Sequence, residues 1–391
     1  MKENTRKSQE QTLKKDRDFY RGVFLVVGIL IGIKLVTSSF FDDFSSIEVA
    51  FYITMIFFML YFALAVHNAI HEIGHLCFGL LTGYKFLAIV TSGFCWVNDK
   101  GKIKFKMDMI NRAGGYCMMS APEMENGAIP FQLLQYGGII ANAITAILFF
   151  VIHLFFEDNR IASMIFYMLS IVGIAGILLN GIPRKTLNLF NDGYNVKSLK
   201  ESKEAVSAFF LQTRMNEQMV KGVRFKDMPD EWFEVFSDGD FNNNVIASMA
   251  VVRLSRLIDQ HLFSEAEKQI EWILNSDMNI TELNRHIIIS NRIYIEMINQ
   301  NRIDVIDEML DKEQVDFMEQ IKNSAAVARV KYAYALLVKD DELDASKHKK
   351  EFDKIAASSL FPALINSELG LIDIVDEVYQ KKAQQIDQLT I

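Results

Sequence analysis

The residues best suited to chemistry are two histidines and a glutamate in the stretch His71-Glu72-Ile73-Gly74-His75. On a helix, residues i and i+4 lie on one face, so both imidazoles can bind the same metal ion. Glu72 lies beside them and can take the proton of a water held by that metal, while zinc would need a third protein ligand. The alternative is a histidine–glutamate pair of purely structural value. The apolar surroundings disfavour it, because ionisable residues in apolar spans are costly and usually functional.

The third ligand is expected from a later part of the chain, and Asp192 is the acidic residue in the stretch 160–200. Pro183 ends the apolar run before it, and Gly193 permits a tight turn directly after it. For these residues alone, an ordinary loop after a helix remains the alternative. His67 lies one turn before His71, and we expect it to be a partner of a ligand or a helix-end histidine rather than a ligand.

Apolar residues are concentrated in the first half of the chain. They make up 50% of the 391 residues, and the mean hydropathy is +0.13. Four runs are long enough to cross a membrane, and we place the spans at about 22–41, 49–82, 137–156 and 161–182. The net charge of −8 argues against nucleic-acid binding, and three cysteines without metal-ligand spacing exclude a disulfide scaffold.

The distribution of positive charge predicts the orientation of these spans. The tail before the first span, residues 1–21, carries seven Lys and Arg, and more follow the second and fourth spans. The opposite loops, 42–48 and 157–160, carry none and one. By the positive-inside rule, both termini are expected in the cytoplasm. The Lys/Asn/Ile-rich composition is typical of an AT-rich bacterium.

A β-hairpin is expected between the second and third spans, over residues 86–110. Residues 102–109 alternate in polarity with a period of two, and residues 86–97 are rich in strand-forming types. The stretch 98–101 between them has turn composition. We expect this hairpin to lie at the cytoplasmic face of the membrane.

Four motifs resemble the site-2 protease family of intramembrane zinc metalloproteases, in the bacterial subset without a PDZ domain. They are His71 to His75, Gly114-Gly115-Tyr116, Gly138-Ile-Ile-Ala-Asn142, and Asn180-Gly-Ile-Pro183 followed by Asp192-Gly193. They occur in the family's order and cover residues 48–196. The nine-residue step from Pro183 to Asp192 is longer than the commonest family spacing, and the loop 157–160 is too short for a PDZ domain.

The resemblance implies a role for each matched residue. His71, His75 and Asp192 would bind one zinc ion per chain, and Glu72 would be the general base. Asn142 and Asn180 would contact the substrate backbone near the metal.

The second half of the chain reads as helical repeats. Polar turns at 261–266, 301–306 and 341–346 follow amphipathic helical patterns at a period of about 40 residues. This resembles a tetratricopeptide-like α-solenoid over residues 244–391, joined to the membrane domain of residues 22–196 by linker helices at 197–243. Its concave surface would bind a protein partner and select the substrate.

The expected fold is therefore an all-α polytopic membrane protein with about four transmembrane helices, a small membrane-associated β-hairpin and a cytoplasmic helical C-terminal domain. The favoured function is a zinc metalloendopeptidase acting on a membrane-embedded or membrane-associated protein or peptide precursor. The alternatives are an inactive membrane scaffold whose repeats recruit a partner and, ranked last, a zinc transporter or sensor.

Overall fold

The structure is a computed structural model. It describes all residues except 1, 39, 43, 100, 108–113, 186–189, 235–239, 360 and 390–391, and the side chains of 2–13 and 386–389 are also left out. The chain divides into two compact units. The first comprises Met1–Gly93 and Ala113–Glu201, and the second comprises Phe94–Arg112 and Ser202–Ile391.

The described residues of the first unit form five helices and two strands. The helices are α1 (Lys2–Thr37), α2 (Ser46–Leu81), α3 (Phe131–Phe155), α4 (Arg160–Gly181) and α5 (Asp192–Glu201), and the strands are β1 (Lys85–Thr91) and β4 (Gly115–Ser120). Four of the helices, at Lys14–Thr37, Ser46–Leu81, Phe131–Phe155 and Arg160–Gly181, are long and apolar enough to cross a membrane. The structure thus has four candidate membrane spans, the number expected, and α1 continues through the basic tail.

Local signals set the ends of the long helices. Ser45 and Glu48 form a capping box at the start of α2, since each side chain bonds the other residue's backbone N–H. The side chain of Asn159 accepts a hydrogen bond from the Ala162 N–H at the start of α4. Pro183 follows the last residue of α4 closely, as a helix-ending proline should.

Helices α2 and α3 approach each other closely at a pair of glycines. A Cβ atom built on Gly74 would overlap the carbonyl oxygen of Gly137, and one built on Gly137 would lie 2.6 Å from the Gly74 carbonyl oxygen. Small residues at such a crossing let helix backbones touch, which is the usual way in which membrane helices pack. Because Gly74 lies between the two histidines of the motif, this crossing brings α3 against both of them.

The expected hairpin is present, with two differences. Strands β2 (Phe94–Asp99) and β3 (Lys102–Met107) pair antiparallel, and the Gly101 N–H bonds Asn98 Oδ1 in the turn between them. The segment expected as one first strand is instead two, β1 and β2, because Ser92 and Gly93 both have positive φ. Strand β4, which pairs antiparallel with β1, was not expected. Residues 108–110 of the expected hairpin lie outside the described residues.

Besides β2 and β3, the described part of the second unit is mainly helical. Its helices are α6 (Lys203–Val220), α7 (Asn244–Asp259), α8 (Phe263–Asn275), α9 (Glu282–Ile298), α10 (Ile303–Met309), α11 (Lys312–Gln320), α12 (Ala325–Ala333), α13 (Glu342–Ser358) and α14 (Pro362–Leu389). A π-helical segment, Tyr334–Val338, extends α12. One hydrophobic core runs through α7 to α14 and includes the fully buried Ile270, Ile293 and Phe352.

Candidate metal centre

Helix α2 carries the two histidines on one buried face. The rings of His71 and His75 meet edge to face with centroids 4.7 Å apart, and their Nε2 atoms are 3.1 Å apart. The i, i+4 spacing produces this pairing, as the sequence predicts. Both residues are less than 10% exposed.

Asp192 reaches the same point from the start of α5. Its Oδ2 atom is 2.9 Å from His71 Nε2 and 3.5 Å from His75 Nε2. Among the described residues, these three form the group of side chains whose ligand atoms all lie within 4.8 Å of one another and can hold a metal ion. The structure therefore brings Asp192 to the histidine pair although 117 residues separate Asp192 from His75 in the chain.

The donor set fits zinc. Two imidazole nitrogens and a carboxylate oxygen are typical zinc ligands, and tetrahedral ligands at roughly 2.0–2.1 Å from the ion lie about 3.3 Å apart. The observed separations of 2.9, 3.1 and 3.5 Å bracket that value. In addition, Asp192 Oδ2 is buried with no hydrogen-bond partner of good geometry among the described residues. A buried carboxylate oxygen without a hydrogen-bond partner of good geometry is available to bind a metal ion.

The protonation of His75 and Asp192 agrees with metal binding. His75 Nδ1 lies 2.7 Å from the carbonyl oxygen of Leu134, which only accepts, so Nδ1 carries a proton and a neutral ring directs the lone pair of Nε2 towards Asp192. Burial raises the pKa of Asp192, but in the metal-free cluster hydrogen bonds donated by the two imidazoles outweigh burial and lower this pKa to about 2. A metal ion bound to both Nε2 atoms would take the place of those imidazole protons. The carboxyl group is therefore ionised at neutral pH.

Glu72 lies one residue after His71 and is also buried, at 5% exposure. Its side chain faces the first residue of β4. A Cβ atom built on Gly115 would lie 2.8 Å from Glu72 Cγ and 2.9 Å from Oε1. The glycine thus leaves room for this carboxyl group beside the two histidines, in the motif that resembles the family's Gly-Gly-Tyr element.

The two asparagines of the motifs have different surroundings. Asn142 is buried, with Oδ1 3.1 Å from His67 Nδ1 and Nδ2 3.4 Å from His71 Nδ1. Asn180 is half-buried near the end of α4, and its Nδ2 donates to the Gly176 carbonyl of its own helix. Asn142 thus contacts one of the three clustered side chains directly, whereas the described hydrogen bond of Asn180 stays within its helix.

One residue that positions Asp192 was missed at the sequence level. Asn191 Nδ2 donates to the carbonyl oxygens of Leu179 and Ile182, and its Oδ1 accepts from the N–H groups of Arg184 and Tyr194. This side chain joins the end of α4 to the start of α5. The signal was present, since asparagine before a helix is a preferred N-cap.

A second anchor comes from α1. The buried Asp16 accepts hydrogen bonds from Arg184 Nη1 at 2.9 Å and from the Lys185 N–H at 3.1 Å. The Arg184 guanidinium also lies 4.2 Å from the centre of the Phe19 ring. These contacts hold the start of the long spacer between Pro183 and Asp192, and local sequence patterns could not reveal them because they link distant segments.

The family model of peptidase family M50 matches residues 59–338 of the chain. The chain belongs to peptidase family M50. This is the site-2 protease family, so the resemblance drawn from the motifs is confirmed, and membership indicates a metalloprotease of the membrane. The match extends beyond residue 196, where the motifs end, into the helical unit. No curated protein and no solved structure matches the chain.

Proposed function

We propose that this member of family M50 is an intramembrane zinc metalloendopeptidase. Its substrate would be a membrane-embedded or membrane-associated protein or peptide precursor. The observation that carries the proposal is that His71 and His75 on the apolar helix α2 converge with Asp192, at the start of α5, within ligand distance of one another. Family membership supports the same reaction class.

In this proposal, three of the clustered residues hold a metal ion and a fourth transfers a proton. His71, His75 and Asp192 would hold one zinc ion, with Glu72 beside them. When bound, zinc acts as a Lewis acid and brings the pKa of a coordinated water towards neutrality. Glu72 accepts the proton of the attacking water and returns it to the departing amine of the cleaved peptide bond. Its burial beside Gly115 keeps bulk water away from that proton transfer.

Substrate contacts are proposed for Asn180 and for a β-strand. Asn180 can exchange its hydrogen bond to Gly176 for one to a substrate backbone. A helical substrate hides its amides in internal hydrogen bonds, so the cleaved stretch must be extended, and a strand of the β1–β4 region or of the hairpin can pair with it. The outer face of the hairpin, with Phe94, Ile103 and Phe105 exposed, suits a position at the membrane surface.

The helical repeats, residues 244–391, are proposed as a tetratricopeptide-like domain that binds a protein partner or selects the substrate. Three turns support a repeat, because His261, Asn301 and Asp340 all have left-handed backbone conformations with φ between 50° and 60°. They follow one another at about 40 residues, and they come directly after α7, after α9 and after the π-helical extension of α12. With both termini in the cytoplasm, as the charge distribution predicts, this domain would meet cytoplasmic partners.

Purified protein and its Glu72→Gln variant test the proposal. New amino termini would be mapped in membrane fractions that contain either protein, and the identified segment would be assayed as a synthetic peptide. Cleavage by the wild type should require zinc and stop with a chelator, and the variant should be slower by about 10²–10⁴-fold. Equal cleavage by both proteins would contradict the role of Glu72, and a chelator-insensitive activity would contradict the metalloprotease assignment.

A further inference from the structure

His67 makes two hydrogen bonds inside the first unit, and one of them fixes its tautomer. The residue is 3% exposed, and its Nε2 lies 2.7 Å from the carbonyl oxygen of Leu169 on α4. A carbonyl oxygen only accepts, so Nε2 carries a proton. A neutral His67 ring then has a lone pair on Nδ1, and this atom faces the side-chain amide of Asn142 at 3.1 Å.

The orientation of the Asn142 amide follows from this tautomer. As placed, its oxygen faces His67 Nδ1, which pairs two acceptors unless His67 is charged. A charged imidazole among apolar helices is costly, and none of the contacts described for His67 is with an acidic side chain. The oxygen and nitrogen of an amide occupy nearly the same space, so the hydrogen-bond partners decide which of the two atoms faces His67. With the exchange, Nδ2 donates to His67 Nδ1 and Oδ1 accepts from His71 Nδ1.

This orientation of the Asn142 amide sets the tautomer of His71, a proposed metal ligand. If Asn142 Oδ1 accepts from His71 Nδ1, the proton of the neutral His71 ring is on Nδ1 and its Nε2 lone pair points towards Asp192 and His75. His75 reaches the same state directly, through the Leu134 carbonyl oxygen. For His71 the fixing carbonyl is that of Leu169, and it acts indirectly: His67 bonds the carbonyl, Asn142 bonds His67, and His71 bonds Asn142.

Three glycines make room for the side chains of His67, Asn142 and His71. A Cβ atom on Gly173 would lie 2.6 Å from His67 Cε1, one on Gly176 would lie 2.8 Å from the Asn142 amide atom that faces His71, and one on Gly138 would lie 2.5 Å from the His71 ring. Two of these glycines are on α4 and one is on α3. Both rings and the amide are therefore seated against helix backbone and held in one orientation.

We infer that His67 and Asn142 are positioning residues that hold His71 in the tautomer able to bind zinc. The inference rests on the proposed zinc site and adds to it a relay that runs from the Leu169 carbonyl through His67 and Asn142 to His71. It gives Asn142 a structural task next to the metal, in place of the substrate contact expected from the motif. His67 lies outside the matched stretch His71 to His75.

The test measures the dissociation constant for zinc of the detergent-purified full chain, by competition with a chromophoric chelator. Loss of the hydrogen-bond partner behind a histidine ligand weakens metal binding about 10–100-fold, and we expect this loss for His67→Leu. His67→Gln should bind zinc nearly as well as the wild type, because its amide can donate to Leu169 and accept from Asn142. His153→Leu is the matched control, since His153 is also a buried span histidine bonded to a backbone carbonyl, that of Ser163.

The outcomes separate this inference from the proposed function. Absence of zinc binding by the wild type would refute the proposed function itself. Wild-type binding with an unchanged constant in His67→Leu, or an equal loss in His67→Leu and His153→Leu, would overturn the relay. If His67→Leu does not fold, His67→Gln and His67→Asn decide, because asparagine is too short to bridge both partners. Equal zinc affinity in those two variants would then overturn the relay.

Discussion

Asn191 shows how a single side chain next to a candidate ligand can control its position. Its four hydrogen bonds tie the carbonyl end of α4 to the amide end of α5, one residue before Asp192. In Asn191→Ala these bonds are lost and the Asp192 carboxylate is no longer held against the two imidazoles. We expect zinc affinity to fall about 10–100-fold, the usual effect of removing support behind a metal ligand.

A matched variant separates this effect from simple loss of a helix cap. Asn159 caps α4 at its other end, and Asn159→Ala should cost about 1 kcal/mol of stability while leaving zinc affinity unchanged. Zinc titration and thermal unfolding of both variants in detergent make the comparison. Equal zinc affinity in Asn191→Ala and the wild type would show that Asn191 does not position Asp192.

At the residue scale, the predictable part of the site was its local part. The spacing of His71, Glu72 and His75 in one helix dictates their geometry, and Asp192 came from a motif resemblance. The contact between His67 and Asn142 links two helices 75 residues apart in sequence, so no local pattern could indicate it. The same holds for Asp16 and Arg184.

At the scale of elements, the close crossing of α2 and α3 positions the histidine pair. Gly74→Ala would place a methyl group against the Gly137 carbonyl and 2.6 Å from Ala141 Cβ, so the helices must separate. Overpacking of this kind costs about 1–3 kcal/mol, and we expect a lower unfolding temperature together with weaker zinc binding.

Gly28→Ala is the control for that substitution, because a Cβ atom there meets nothing within 4 Å. By differential scanning fluorimetry and zinc titration, this variant should show no loss of unfolding temperature or of zinc affinity. If Gly74→Ala were as stable and bound zinc as well as Gly28→Ala, the close crossing would have no bearing on the centre.

Sequence patterns recovered the long elements better than the short ones. Runs of apolar residues predicted the four long apolar helices with ends that differ from the observed ones by at most eight residues, because hydrophobic length is a strong signal. The strands were harder, since Ser92 and Gly93 divide one run of strand formers into β1 and β2. Strand β4, pairing with β1 across more than 20 residues of chain, has no local signature strong enough to predict it.

At the scale of the whole molecule, the helical unit has a buried ionic contact of its own. Arg329 is fully buried, with Nε 2.6 Å from Glu368 Oε2 and Nη2 2.7 Å from Asn291 Oδ1. Its guanidinium lies 4.1 Å from the centre of the Tyr294 ring. Arg329→Ala leaves Glu368 without its partner, and breaking such a pair costs about 3–5 kcal/mol.

Since Arg329 belongs to the second unit and the histidine–aspartate cluster to the first, the variant should lower the unfolding temperature of the helical unit without removing zinc. Lys381→Ala, which breaks an exposed pair with Glu377, should change stability by about 0–1 kcal/mol. Circular dichroism melts and metal analysis report both quantities. Loss of zinc in Arg329→Ala at a temperature where its helices are intact would contradict this expectation, because the substitution would then affect the first unit as well.

The most direct measurement of the central claim is the amount of zinc bound per chain, in detergent-purified wild type and in Asp192→Ala after equal zinc supplementation and removal of excess. Three ligand atoms within 3.5 Å of one another predict about one zinc per wild-type chain and a clear loss in the variant, because two histidines alone hold the ion weakly. Equal zinc in both proteins, or none in the wild type, would contradict the three-ligand metal centre.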